Sequence, residues 1–212
     1  MPLLPQRKAK FRTPTEAQPR RAPLGHTFLF MSVLYGTAVL IGFVLYFALN
    51  NSLRTMVLMN FRAGLAAFLY MGNIGGLSAA YNESWYNIVF LIITWVVGQS
   101  TIGAPIIVLL LFIRGLSLGF ALSLTVLVDG LHGAIFDLIG IMPWNILIMG
   151  AFIVAASISY LFTRELRTIG FARMSAGLLA AYSGVYVICV GLVLLAGWVE
   201  FLIVPRIFAW LG

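Results

Sequence analysis

The chain has 212 residues, of which 62% are hydrophobic and only 9% charged. A soluble domain carries about 25% charged residues, so this composition excludes an ordinary water-soluble fold. At about 20 apolar residues per membrane pass, the length holds about five passes and leaves no room for a separate catalytic domain. The net charge of +7 does not point to nucleic acid, because six of the 13 basic residues (Arg7, Lys8, Lys10, Arg12, Arg20 and Arg21) sit in the first 21 positions. Among them lie Pro2, Pro5, Pro14 and Pro19, and only Glu16 opposes them. Such a segment buries too little to fold. Residues 1–27 therefore read as a disordered basic cytoplasmic tail that fixes topology and touches anionic lipid.

Residues 28–212 read as a helical membrane domain. The first span is 28–49, without a charge and closed by Asn50, Asn51 and Ser52. No small-x-small cleavage site precedes Asn50, so it reads as a retained signal anchor. From Arg54 to Ala80, Leu53, Met56, Val57, Phe61, Leu65, Phe68 and Leu69 recur at threes and fours beside Arg54 and Arg62. That pattern predicts an amphipathic helix at the membrane surface, with a sixth span as the alternative, broken by Gly72, Gly75 and Gly76. A turn is expected at Tyr81-Asn82-Glu83-Ser84, with Trp85 and Tyr86 as interfacial aromatics.

Asn87 to Val128 is apolar enough for two passes, read as spans 86–99 and 103–128. The break falls either at Gly98-Gln99-Ser100-Thr101-Ile102-Gly103 before Pro105, which is favoured, or at Arg114-Gly115. Asp129 to Met142 is too short and polar for a pass and reads as an interfacial or re-entrant piece. Pro143 suits a helix first turn and opens span 143–162; Arg164, Glu165, Arg167 and Arg173 follow, then span 176–198. The fold class is thus an all-α polytopic bundle of about five spans with a cytoplasmic N-terminus. Five passes put the Arg164 to Arg173 loop inside and the acidic stretches outside, in accord with the positive-inside rule.

No catalytic set is expected. Asp129 and His132 are spaced for one helical face with Asp137 nearby, which could serve proton abstraction or a metal. Three or four ligands are needed for zinc, and other ligating residues are scarce, so polar contacts at the membrane rim are preferred. No serine elbow, HExxH or phosphate loop occurs, and no cofactor or metal is expected. Cys189 is the single cysteine and forms no intrachain disulfide.

Arg114 is the most informative charge. An arginine in lipid costs about 2.5–3.5 kcal/mol on insertion scales, so it faces a polar partner or snorkels to an interface. Gly115 and Gly119 have the small-xxx-small spacing that lets helices approach closely; Ala151/Ala155 and Gly177/Ala181 repeat it. Packing within the bundle is the preferred use, and a homo-oligomer the other. Gln99 and Asn145 need partners in the apolar layer.

Val97-Gly98-Gln99-Ser100-Thr101-Ile102-Gly103-Ala104-Pro105 and Leu111-Phe112-Ile113-Arg114-Gly115-Leu116-Ser117-Leu118-Gly119-Phe120 together resemble the stage II sporulation protein M family. Pro143-Trp144-Asn145 is similar to that family's Pro-x-Asn step. Gly150 departs from the pattern where a second proline is expected, as does Trp144 where a polar residue is common. The resemblance implies a non-enzymatic scaffold of the sporulation septum, in the cell membrane. It implies recruitment of two wall-degrading partners, the stage II sporulation proteins D and P, during engulfment. Arg114, Gly115, Gly119, Pro143 and Asn145 are the residues expected to serve helix packing or partner contact. A transporter, or a transporter's membrane subunit with Arg114 and Gln99 along a path, is the alternative.

Overall fold

The computed structural model describes residues 24–74, 76–136, 139, 142–170 and 175–211. Side chains are described at 24–63, 84–127, 130, 134, 135, 139, 142–170, 175–200 and 202. The basic tail, the side chains of Glu83, Asp129, His132 and Asp137, and Arg173 lie outside the described residues.

Among the described residues six α-helices follow one another: α1 (Leu24–Leu45, extended by a 3₁₀ turn at Tyr46–Ala48), α2 (Asn51–Ile74), α3 (Gly76–Gly98), α4 (Gly103–Phe136), α5 (Met142–Ile169) and α6 (Ala176–Leu211). Leu24–Ala48, Gly103–Leu127, Met142–Ile169 and Ala176–Glu200 are each long and apolar enough to cross a membrane, and Ser84–Gly98 is a shorter apolar segment. The protein is an all-α polytopic membrane bundle.

The helices outrun the expected spans. The turn expected at Tyr81–Ser84 is helix, because α3 starts at Gly76. Asn and Ser only weaken a helix and Glu favours one, whereas the adjacent glycines end one. Likewise α5 continues beyond residue 162 to Ile169. Arg164, Glu165, Leu166 and Arg167 are good helix formers, so the helix persists where the apolar run stops.

Two glycines adopt backbone conformations that other residues resist. Gly170 (φ 78°) ends α5, and its N–H bonds to the Leu166 carbonyl at 2.9 Å, closing the last turn in the usual left-handed manner. Gly130 (φ 59°, ψ −127°) bends α4, so 131–136 leave the direction of the main segment.

The break between α3 and α4 lies at 99–102, and α4 runs unbroken through Arg114-Gly115. The reversal is tight: Gln99 N–H bonds to the Val96 carbonyl (3.1 Å), Ser100 N–H to Val97 (3.0 Å) and Gly103 N–H to Ser100 (3.0 Å). A Cβ at Gly103 would lie 2.1 Å from the Val97 carbonyl oxygen, so a side chain there would open the turn.

α1 packs chiefly on α4, and the two run parallel. Gly115 meets Tyr35 and Ala38, while Gly119 meets Val39 and Phe43, so contacts advance in the same direction on both helices. Further along, Tyr46 and Phe120 have ring centroids 6.2 Å apart. Because α3 is antiparallel to α4 across the 99–102 turn, α3 begins at the end of the bundle where α1 finishes. α2 therefore connects two points on one side and does not cross. α5 runs back toward the 99–102 end, where its Thr163 and Arg167 reach Gly98 and Thr101. The start of α1, the 99–102 turn and the α5–α6 connection thus share one end.

α5 is the central helix: 56% of its most apolar stretch is buried, against 22–28% for the other three long spans. Ala151, Ala155, Ala156, Ser157 and Ser159 keep its surface small, which lets neighbours approach closely. Around it Met31, Tyr35, Leu91, Ile107, Leu111, Phe152 and Val193 form the apolar core.

Candidate functional site

Arg114 stands eleven positions into α4. At about 1.5 Å per residue this is about 16 Å from the 99–102 turn, near the middle of a hydrocarbon layer about 30 Å thick. Its guanidinium donates to the side-chain oxygen of Asn87 on α3 and lies over the Phe152 ring of α5, 5.3 Å from the centroid. Phe152 in turn meets Phe90 edge-on at 4.9 Å. Asn87 is 3% exposed, so the oxygen that accepts from Arg114 is held inside the bundle. Of the two readings open for Arg114, an interior partner and a snorkelling side chain, the geometry is the first. A single cation thereby links α3, α4 and α5, with ring quadrupole and amide dipole replacing water.

Gly115 and Gly119, on the next turns of α4, form the seam with α1. A Cβ at Gly119 would lie 1.9 Å from the Val39 carbonyl oxygen, and one at Gly115 2.7 Å from the Ala38 Cβ. The fit is reciprocal, since a Cβ at Gly42 on α1 would lie 2.2 Å from the Leu116 carbonyl oxygen. At Gly119 and Gly42 these are contacts with main chain, and at Gly115 with a Cβ fixed to it and with the Tyr35 carbonyl oxygen (2.9 Å), none of which can swing aside. In contrast, a Cβ at Gly177 would meet nothing within 4 Å among the described residues; the same spacing is used within the bundle in one helix and unused in another.

Arg114, Gly115 and Gly119 are thus brought together. Pro143 and Asn145 are not: they stand in the first turn of α5, about two turns before Phe152, with Pro143 exposed and Asn145 half-buried. Gln99 sits in the turn, where its amide donates to the Trp95 carbonyl at 3.4 Å. It is therefore about 16 Å from Arg114 along the direction of α4.

A second polar cluster, not foreseen from the sequence, joins α3, α5 and α6 nearer the 99–102 end. The Tyr182 hydroxyl donates to the Trp95 carbonyl (2.9 Å) and pairs with the Ser159 hydroxyl at 3.0 Å. Ser159 also pairs with the Tyr186 hydroxyl, which bonds to the Ala155 carbonyl at 3.3 Å. Trp95 Nε1 donates to Ser183 (3.2 Å) and Thr163 to the Gly98 carbonyl (2.9 Å). Phe162 stacks on Tyr182 with centroids 4.1 Å apart. The available signal was Tyr182 and Tyr186 one turn apart in an apolar helix, facing α5 hydroxyls at the same depth.

Arginines also pin the ends. Arg167 donates to the Thr101 carbonyl, tying α5 to the turn. Arg54, in the first turn of α2, donates to the Phe47 carbonyl and lies 5.5 Å from the Tyr46 ring centroid, which places a cation at the carbonyl end of α1 where the helix dipole favours it. Among the described residues no three His, Cys, Asp or Glu side chains gather as a metal site, and Asp129, His132 and Asp137 fall outside them. Cys189 is free and buried.

These features define a multi-pass helical membrane protein in which Arg114, Asn87, Ser159, Thr163, Tyr182 and Tyr186 fasten helix to helix, while Thr94, Ser123, Thr125 and Ser157 bond back to their own helices. The chain belongs to the stage II sporulation protein M family, whose sequence pattern matches residues 27–205; it is a sporulation-related membrane protein. No curated protein and no solved structure gives a match. The residues that carried the resemblance fall at three structural points: the α3–α4 reversal, the α4 face against α1, and the start of α5.

Proposed function

We propose that this protein is a non-enzymatic scaffold of the sporulation septum that recruits the peptidoglycan-degrading stage II sporulation proteins D and P during engulfment. The observation that carries the reading is how interior polar groups are used. Arg114, Asn87, Ser159, Tyr182, Tyr186 and Thr163 bond across helices to one another or to main-chain carbonyls, as expected of a rigid platform. Family membership supports the sporulation setting.

In this reading five helices cross, and the N-terminus is cytoplasmic. The end shared by the start of α1 and the α5–α6 connection carries Arg164, Arg167 and the basic tail, in line with the positive-inside rule. The opposite end, with α2 and the stretch from Asp129 to Met142, then faces the wall and offers the docking surface.

The test is recovery of the tagged protein from detergent-solubilised native membranes, followed by mass spectrometry. Co-purified wall hydrolases, lost when 129–142 or α2 is exchanged for an unrelated segment, are the expected result. Hydrolases absent, with a transport ATPase or solute-binding protein in their place, would overturn the scaffold in favour of a transporter subunit.

A further inference from the structure

We infer that α2 is an in-plane helix of the outer membrane interface, with one face seated on lipid and Arg62 directed to anionic headgroups. This rests on the geometry of α2, and the outer side on the sidedness proposed above; it does not depend on what the scaffold recruits.

The connectivity supplies the first constraint. α1 ends and α3 begins at the same end of the bundle, so the 24 residues of α2 are held at that end without crossing. The second constraint is the division of its surface into arcs. At about 100° per residue, Arg54, Val57, Leu58 and Phe61 share one arc, and all four are half-buried; this face lies on the bundle. Arg54 fixes it there through the Phe47 carbonyl and the Tyr46 ring.

The two flanking arcs differ in chemistry. On one side are Leu53 and Met56, which are 50% and 62% exposed, with Asn60 between them and the helix end. On the other are exposed Asn51, Thr55 and Arg62. Exposed Met59 points away from the bundle between the two. A helix whose apolar and polar arcs stand on opposite sides of its docking face has the arrangement needed to lie along a water–lipid boundary. Asn60 on the apolar arc keeps that face at the level of the ester groups and not deeper, since an unpaired amide is disfavoured in hydrocarbon.

Charge selects the lipid. From Asn51 to Ile74 the helix holds two arginines and no acidic residue. Arg54 is committed to the end of α1, and Arg62 faces outward, so the complementary surface is one of phosphate-bearing, net-negative headgroups.

The test uses the full chain with Cys189→Ala, carrying one spin label at a time through Leu53→Cys, Met56→Cys, Thr55→Cys or Arg62→Cys. Each is reconstituted in phosphatidylcholine alone or mixed with phosphatidylglycerol, and relaxation by oxygen is compared with that by a water-soluble nickel chelate. Monodispersity after extraction checks the fold of each variant. Labels at 53 and 56 are expected to favour oxygen and those at 55 and 62 nickel. Phosphatidylglycerol should move the label at 56 deeper, and Arg62→Gln should abolish that shift. All four labels favouring nickel would leave the face to a protein partner, and all four favouring oxygen would mean a span; either overturns the inference. A depth at 56 indifferent to phosphatidylglycerol would overturn the headgroup contact.

Discussion

Arg114 on α4 and Asn87 on α3 bond to each other near the middle of the bundle, with the Phe152 ring beneath the guanidinium. The pair lies where the membrane offers neither residue an alternative. Asn87 belongs to the helix with the shortest apolar segment, Ser84–Gly98. With Ser84, Asn87 and Thr94 buried, this segment hides those three polar side chains from lipid.

Removing one partner is therefore worse than removing both. Asn87→Leu should destabilise the folded protein by about 1.5–3 kcal/mol, the range for a lost hydrogen bond to a charged group. The double variant Asn87→Leu/Arg114→Met should recover most of that loss, since neither polar group is then stranded. Unfolding titrations in mixed micelles would read both. A double variant less stable than the single one would show that the pair is not the relevant unit.

The glycine seam predicts a contrast within one substitution type. Alanine is a better helix former than glycine by about 1 kcal/mol, so Gly184→Ala should hold or raise stability, given that a Cβ there meets nothing within 4 Å among the described residues. Gly119→Ala should lower it by about 1–3 kcal/mol despite the same gain, the range for forcing atoms into a filled interface. Melting of the detergent-solubilised protein distinguishes the two. Equal shifts would mean that α1 and α4 do not touch at Gly119.

The tyrosine cluster should contribute less per bond. Interhelical hydrogen bonds in membrane proteins average about 0.6 kcal/mol and reach about 1.7. Ser159 bonds both Tyr182 and Tyr186, so Ser159→Ala, Tyr182→Phe and their combination form a cycle whose coupling should fall in that range. A coupling indistinguishable from zero would remove the Ser159–Tyr182 bond as a contributor.

Sidedness can be tested directly. In a Cys189→Ala background, Ser100→Cys and Ser175→Cys should react with an impermeant maleimide from the cytoplasmic side, and Asn51→Cys from the other. All three native residues are exposed. Labelling of positions 51 and 100 from the same side would contradict the parallel course of α1 and α4 across a bilayer.

The helical class and the glycine breaks were legible because hydropathy and backbone preference act locally. Gly115 and Gly119 could be read as a site of close approach, yet nothing local named α1 as the neighbour or distinguished them from Gly177 and Ala181. The partner of Arg114 was illegible for the same reason. Asn87 is on another helix, and it meets Arg114 only because the 99–102 turn sets both at equal depth. Helix ends were misread at Tyr81–Ser84 and beyond residue 162 because apolar content reports the lipid boundary, whereas the backbone stays helical until a glycine stops it. The Ser159–Tyr182–Tyr186 cluster needed the register of three helices at once.

The parallel seam between α1 and α4 has a consequence for synthesis. Helices that are neighbours in sequence can pair as they leave the ribosome, but α1 cannot. Leu116 emerges roughly 75 residues after Gly42, about 4–15 s later at about 5–20 residues per second. Throughout that interval the Gly42 notch faces lipid or the insertion machinery, and the first helix waits in the bilayer unclasped. Chains interrupted before α4 would therefore carry the Gly42 notch unfilled.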